Sequence, residues 1–269
     1  MRLLKIIVTI LLLVVTVLFA YTKVSESFSG ASIAPIISCD EEVLEISVLD
    51  DSSALLRGVT ASDAQDGDLT DEIMVAGISK FTGDATVSVT YMVFDSDDNI
   101  GKLTRTIHYT DYTSPRIEIL QPLVYQATET MVLLDRIAVT DCIDGDITNS
   151  IRLTSQESTS YGDIYTVGVS VTNSMGDTTE IELPIVWYTD NQERPVVVLK
   201  SNLIYLQQGS SFSPRDYLVR AENAEGAANK SEVKITGGVN TDMTGTYMVQ
   251  YSYTYEGLEG IAVLTVVVE

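Results

Sequence analysis

Six aspartates in two short clusters are the residues whose types and spacing could do chemistry. Asp63, Asp66 and Asp68 stand in an Asp-x-x-Asp-Gly-Asp core, and Asp141, Asp144 and Asp146 repeat it 78 residues later. Carboxylates are hard oxygen donors, and calcium is the ion that such donors suit. The spacing is not that of an EF-hand, because acids fall at positions 1, 4 and 6 and Met74 occupies position 12, where that loop needs a bidentate Glu. The same residues also read as a turn, with Gly67 and Gly145 at positive φ and the aspartates capping nearby backbone N–H groups. Both readings stay open at this level. Glycoside hydrolysis needs two acids across a cleft, whereas these acids share one turn that is duplicated whole. His108 is the one histidine, sits at an alternating position suited to a strand, and has no G-x-S-x-G elbow to serve. No catalytic residue is expected.

The flanks of the two clusters repeat as well. Val89-x-Tyr91-x-Val93-x-Asp95 answers Val167-x-Val169-x-Val171-x-Asn173, Tyr109-Thr110-Asp111 answers Tyr188-Thr189-Asp190, and Pro115 answers Pro195. A third copy is degraded: Val219-x-Ala221-x-Asn223-x-Glu225-Gly226-Ala227 replaces the acidic core. Such self-similarity at a fixed period marks tandem units, which fall at residues 35–110, 114–189 and 194–269. Charge follows them. The 269-residue chain has a net charge of −22, with 15 acidic against 4 basic side chains in 35–110 and 9 against 6 in 191–269. That balance excludes nucleic acid, which needs clustered Lys and Arg.

Within each unit the signals are β. Apolar residues alternate with period two in Thr86–Phe94, Tyr165–Thr172 and Tyr247–Tyr255, punctuated by Asp-Gly, Thr-Gly and Met-Gly turns. Val89, Tyr91, Val93, Val167, Val169 and Val171 should therefore point into a core, with Ser88, Thr90, Ser170 and Thr172 facing outward. Asn223–Lys230 could form a turn of helix at most. Trp187 reads as packed in a last strand. The tyrosines from Tyr247 to Tyr255 share one sheet face, as core, cross-strand ladder or exposed binding stripe. Several short strands per unit, too few for a closed barrel, give an all-β fold of three tandem small two-sheet sandwiches. Cys39 and Cys142 lie most of a unit apart in an extended array and should be free thiols.

At the N-terminus, Arg2 and Lys5 precede an apolar run from Ile6 to Ala20. Leu18 stands where a signal-peptide cleavage site wants a small residue, which favours an uncleaved signal anchor in residues 1–22, spanning the membrane through residues 6–21. The two positive charges would keep the N-terminus inside and the bulk of the chain extracellular; cleavage would make the protein secreted. Residues 23–34 are Ser-rich without periodicity and read as a flexible tether.

A strand beginning at Pro, then Val-x-Ala-x-Asp-x-x-Asp-Gly-Asp-Leu/Ile-Thr, then Val-x-Tyr-x-Val-x-Asp, resembles a bacterial surface immunoglobulin-like repeat. It is the type described from a pesticidal crystal protein, and it is similar to hyalin-type repeats. The resemblance implies β-sandwiches in tandem on exported bacterial proteins, used as spacers or adhesion modules, with no catalytic residues. The expectation is a non-enzymatic surface protein. Strands of six to eight residues at ~3.3 Å each make a unit roughly 35 Å long and a stacked array about 100 Å. The alternative is a binding module recognising cell-wall glycan or another protein through repeat 3.

Overall fold

The computed structural model describes residues 10–21, 34–161 and 163–269. Residues 10–21 are helical, and among the described residues no helix is long and apolar enough to cross a membrane. Arg2, Lys5 and the start of the apolar run lie outside the described residues, as does nearly all of the 23–34 tether. After Ala34 the described residues form strands, turns and short 3₁₀ segments, arranged in two compact units, 1–111 and 112–269.

In the first unit, Ile36–Cys39, Val59–Asp63 and Gly67–Asp68 form one antiparallel sheet. The other holds Val43–Ile46, Ile100–Tyr109, Thr86–Phe94 and Met74–Ile78 in that spatial order, its first pair parallel. β-Branched and aromatic residues at every second position build the inner face: Val87, Val89, Tyr91 and Val93 are all 0% exposed. The intervening Ser88 and Thr90 are half-exposed, so the register is as read. One inward position is not apolar. Arg105 is 2% exposed, its Nη1 donating to the Arg57 carbonyl (2.6 Å) and its Nη2 to Asp40 Oδ1 (3.2 Å).

The same strand order recurs in the second unit, first over Arg116–Ile119 to Thr178–Trp187 and again over Val196–Leu199 to Leu258–Val268. The duplication read from the sequence is thus a duplication of topology. Each copy starts just after a proline, on an edge strand, where the missing N–H costs nothing. The chain there crosses close over the second hairpin strand. A Cβ on Gly101 would meet the Pro35 carbonyl oxygen at 2.2 Å and one on Gly260 the Pro195 oxygen at 1.7 Å. The middle copy has Thr179 at this place, and its hydroxyl donates to the Pro115 carbonyl (2.9 Å).

Two local expectations need correction. Residues Gly226–Ala228, inside the stretch allowed a helical turn, are a strand paired with Leu218–Asn223. The 3₁₀ turn comes later, at Lys230–Glu232, where the Asn229 side chain accepts from the Ser231 N–H. Ser170 was expected to face solvent, and Thr172 does, but Ser170 is 8% exposed. It sits on a central strand between Arg152 and Glu180, whose longer side chains flank it.

Repeats 2 and 3 share a core. Leu203 of repeat 3 belongs to the buried cluster of repeat 2, with Tyr205 and Val267 packed against it. A second cluster joins Ile164, Val186 and Tyr188 of repeat 2 to Ile261 and Val263 of repeat 3. The Tyr205 hydroxyl accepts from the Ile117 N–H (3.0 Å) and lies 3.2 Å from the Ile117 carbonyl, satisfying an edge strand. Arg116 lies 4.2 Å over the Tyr205 ring and pairs with Glu269. The Tyr188 hydroxyl accepts from the Ile261 N–H (2.9 Å). Glu269 thus lies by the start of repeat 2 and Ile261 by its end, so the strand Leu258–Val268 runs along the repeat for about 26 Å. The two sandwiches lie side by side, not stacked end to end. The sequence signal for this was present: Ile261–Val268 does not alternate, because both faces are buried.

Candidate functional sites

Each acidic core closes a hairpin between a strand and the two-residue strand after it, Val59–Asp63 with Gly67–Asp68 and Ile137–Asp141 with Gly145–Asp146. Gly67 has φ 81° and Gly145 φ 71°, the left-handed conformation that glycine adopts without strain. The carboxylates are turned onto the backbone. Asp63 Oδ1 accepts from Gln65 N (2.6 Å) and Asp66 N (2.9 Å), and Asp141 Oδ1 from Ile143 N (2.9 Å) and Asp144 N (2.8 Å). Asp68 Oδ1 accepts from Thr70 N (3.0 Å) and Asp146 Oδ1 from Thr148 N (3.0 Å). The Thr70 and Thr148 side-chain and backbone donors hold the carboxyls of Asp68 and Asp146 below their ordinary range.

The middle aspartate does something else. Asp66 reaches across to the loop of the long hairpin and takes both the N–H and the hydroxyl of Ser96 (2.8 Å each). Asp144 takes those of Ser174 at 2.6 and 2.7 Å. Behind it, Asp141 is 6% exposed and accepts from Asn173 Nδ2 (3.0 Å), which also donates to the Tyr112 hydroxyl (2.8 Å). Repeat 1 has Asp95 in place of Asn173. Burial would raise its carboxyl, but donors from Asn99 and Asp97 outweigh that and hold it below the ordinary range. Among the described residues no three His, Cys, Asp or Glu side chains converge to hold a metal ion. Backbone and hydroxyl donors lie against these carboxylates, as the turn reading requires.

Repeat 3 keeps the turn with Asn223 and Glu225 in place of the aspartates. Asn223 Oδ1 accepts from Glu225 N (2.9 Å), and Asn223 Nδ2 donates to the Tyr253 hydroxyl (3.1 Å). The tyrosine series that could have been a binding stripe is core: Tyr251 is 0% and Tyr253 6% exposed, with Tyr247 and Tyr255 half-buried. Burial pushes the Tyr251 hydroxyl up to about 12, and it donates to the Pro214 carbonyl (2.7 Å). Trp187 stacks on Tyr125, ring centroids 6.0 Å apart, and packs against the repeat 2 core. His108 is half-buried in the strand Ile100–Tyr109. Cys39 and Cys142 are free thiols, and the Cys142 Sγ donates to the Thr113 carbonyl (3.2 Å).

What the repeat pattern did not disclose was the pair of residues that lock repeat 3 onto repeat 2. Tyr188 and Tyr205 look like ordinary strand tyrosines in sequence. Arg194 lies 4.1 Å over the Tyr188 ring, pairs with Asp190 (2.8 Å) and donates to the Glu259 carbonyl (3.2 Å), fastening the segment between the repeats.

Residues 198–268 match the model of the family described as "Bacterial surface protein, Ig-like domain". The "Uncharacterized 81.3 kDa protein" of Acholeplasma phage L2 is 27% identical over 154 residues, covering 55% of this chain and 20% of the phage protein, so the match spans about a fifth of that relative. Among solved structures, the chain is similar to CBM51-2 with GlcNAc and INT domains from Clostridium perfringens ZmpB, at 20% identity over 55% of this chain and 26% of that one, with a TM-score of 0.24. It is also similar to the lipoprotein BT2262 from Bacteroides thetaiotaomicron, at 13% identity over 86% and 98% of the two chains, with a TM-score of 0.21. At such TM-scores the likeness says nothing further about function. Over residues 198–268 the chain carries a bacterial surface Ig-like domain, and the strand order of that domain occurs twice more ahead of it.

Proposed function

We propose that this is a non-enzymatic, membrane-anchored surface protein whose Ig-like repeats serve as an adhesion and display module. The observation that carries this reading is the shared core of repeats 2 and 3. A sandwich whose Leu203 is buried in its neighbour's core cannot hinge there without exposing apolar surface. The pair supplies stiffness more than reach, because two sandwiches lying side by side extend about as far as one, roughly 35 Å. Stiffness suits a body that presents surfaces to a partner. The chemistry of the chain supports the same reading, since the repeated carboxylates are engaged by backbone donors. The apolar run behind Arg2 and Lys5, helical over residues 10–21, supplies the anchor. Recognition of cell-wall glycan through the tyrosines of repeat 3 loses its surface, since the central two are core residues.

The test is made on intact cells producing the full chain. Added protease should remove residues 35–269 while the N-terminal segment stays with the membrane. Recovery of the protein in the medium with a mature N-terminus near Ser32 would replace anchoring by secretion. Retention of adhesion after the shared core is broken by Val263→Ser would remove the role given to stiffness.

A further inference from the structure

We propose that the outer face of the four-stranded sheet of repeat 1, at Met74, Met92, Phe94 and Ile100, is a docking surface for a protein segment that is both apolar and basic. Met74 pairs with Met92 and Phe94 with Ile100 across adjacent strands, so the four side chains stand together on one end of one face. Met74 is 49%, Ile100 43% and Phe94 37% exposed.

The fold does not require them. Repeat 2 builds the same sheet with Arg152, Ser170, Thr172 and Thr178 at these register positions. Repeat 3 builds it with Lys234, Ser252, Thr254 and Glu259. Two polar sets and one apolar set on the same scaffold mean that the apolar set answers to something other than folding. The chain also shows what an apolar outer face is for: Ile261 and Val263, on the outer face of repeat 3, are covered by repeat 2. Among the described residues no comparable cover lies on Met74, Phe94 and Ile100.

Charge decides the kind of partner. Asp71 and Glu72 lead into Met74, and Asp97 and Asp98 follow Phe94; all four are exposed. The Asp66–Ser96 hydrogen bonds draw the acidic turn to the same end. Lys102, in register with Met92, is the basic side chain beside the patch. An apolar centre with an acidic rim is complementary to apolar anchors flanked by Lys or Arg. A second copy of this acidic chain and an anionic membrane surface would both be repelled. Two methionines and a phenylalanine give a face that adapts to its anchors.

The probe is a synthetic amphipathic peptide of leucine and lysine, titrated against the full chain, beside a leucine–glutamate peptide of the same pattern. The Leu/Lys peptide should bind, more weakly as salt rises, and the Leu/Glu peptide should not. Phe94→Thr with Ile100→Thr installs the residues of repeat 2 and should weaken binding about tenfold or more with melting unchanged. Met92→Ser serves the same purpose should that pair fail to fold. Asp97→Asn with Asp98→Asn should weaken binding and flatten its salt dependence. Equal binding by the threonine variant, binding of both peptides alike, or binding of neither would overturn the proposal. So would self-association, or adsorption to anionic vesicles, that the threonine variant abolishes, since either assigns the face to another occupant.

Discussion

Asp66 holds Ser96 by two hydrogen bonds, one to its N–H and one to its hydroxyl, each 2.8 Å, across a sequence gap of 30 residues. Asp144 holds Ser174 the same way across the same gap. The central carboxylate of each acidic core is therefore a strap between two loops at one end of the sandwich. Its neighbours shape the turn, and Asp141 in addition accepts from Asn173 Nδ2 (3.0 Å). Asp144→Ala should free the Asn173–Asp177 loop and lower the melting temperature by about 3 °C, as the loss of two solvent-exposed hydrogen bonds implies. Ser174→Ala, which leaves the N–H bond, should cost less than half of that. Equal effects from the two variants would mean that the hydroxyl carries the strap.

Calcium offers a separate check on the same residues. With the carboxylates directed at N–H and hydroxyl donors, melting of the full chain should be the same in millimolar calcium and in chelator. A ligand at a hundredfold excess over its dissociation constant stabilises by about 2.7 kcal/mol, which a thermal scan would reveal. A rise of that size, lost in Asp63→Asn or Asp141→Asn, would restore the aspartates as metal ligands.

Acid should find the turns first. Thr70 and Thr148 hold the carboxyls of Asp68 and Asp146 below the ordinary value of 3.8. A carboxyl lowered by folding contributes stability at pH above its unfolded value and loses it as pH falls through the folded one. Urea midpoints should therefore drop below about pH 4. Asp68→Asn with Asp146→Asn keeps the acceptor oxygens and removes the titration, so its midpoint should depend less on pH there. An unchanged acid limb would place the sensitivity in other carboxyls.

Much of this was legible in the sequence, and the reasons are local. Alternation in Thr86–Phe94 gave the strand and its buried face, since period two leaves one choice of register once a face is apolar. Asp-Gly at Asp66-Gly67 and Asp144-Gly145 gave the turns, because the left-handed conformation selects glycine. Ser170 escaped because its burial comes from flanking strands, not its own character. The side-by-side packing escaped because it depends on which apolar residues are surplus to one core. The two-sided apolar run Ile261–Val268 carried that information, and only a partner surface gives it meaning. Arg105 escaped for the opposite reason, as an arginine in an alternating strand reads as an outward residue.

That arginine gives a test of what its charge is worth. Its side chain is fully buried while that of its partner Asp40 is 63% exposed, so the pair gains little from Coulomb attraction and the bond to the Arg57 carbonyl matters more. Arg105→Ala leaves both a cavity and an unpaired carbonyl, and should cost about 3 kcal/mol. Arg105→Met fills the volume with an apolar chain and should stay within about 1.5 kcal/mol of the parent. If methionine is as damaging as alanine, the guanidinium hydrogen bonds, not its volume, hold this part of the core.

The shared core makes the last prediction, on how the second unit unfolds. Leu203 is chemically part of repeat 3 and sterically part of repeat 2, 7% exposed within the cluster that includes Val169 and Leu183. Repeat 2 therefore cannot complete its core while repeat 3 is unfolded, and the strand Leu258–Val268 cannot bury its outer face while repeat 2 is unfolded. Residues 112–269 should melt in one cooperative transition. Leu203→Ala should lower that transition as a whole, by about 3 kcal/mol, the usual cost of truncating a buried leucine. Tyr205→Phe should cost about 1 to 2 kcal/mol, because the Ile117 N–H is left without its acceptor. Val263→Glu is the discriminating variant, since a carboxylate against Ile164, Val186 and Tyr188 cannot be accommodated without parting the two repeats. Calorimetry of that variant should resolve two transitions where the parent has one. Two transitions in the parent, or one in the variant, would mean that the repeats touch without sharing their stability.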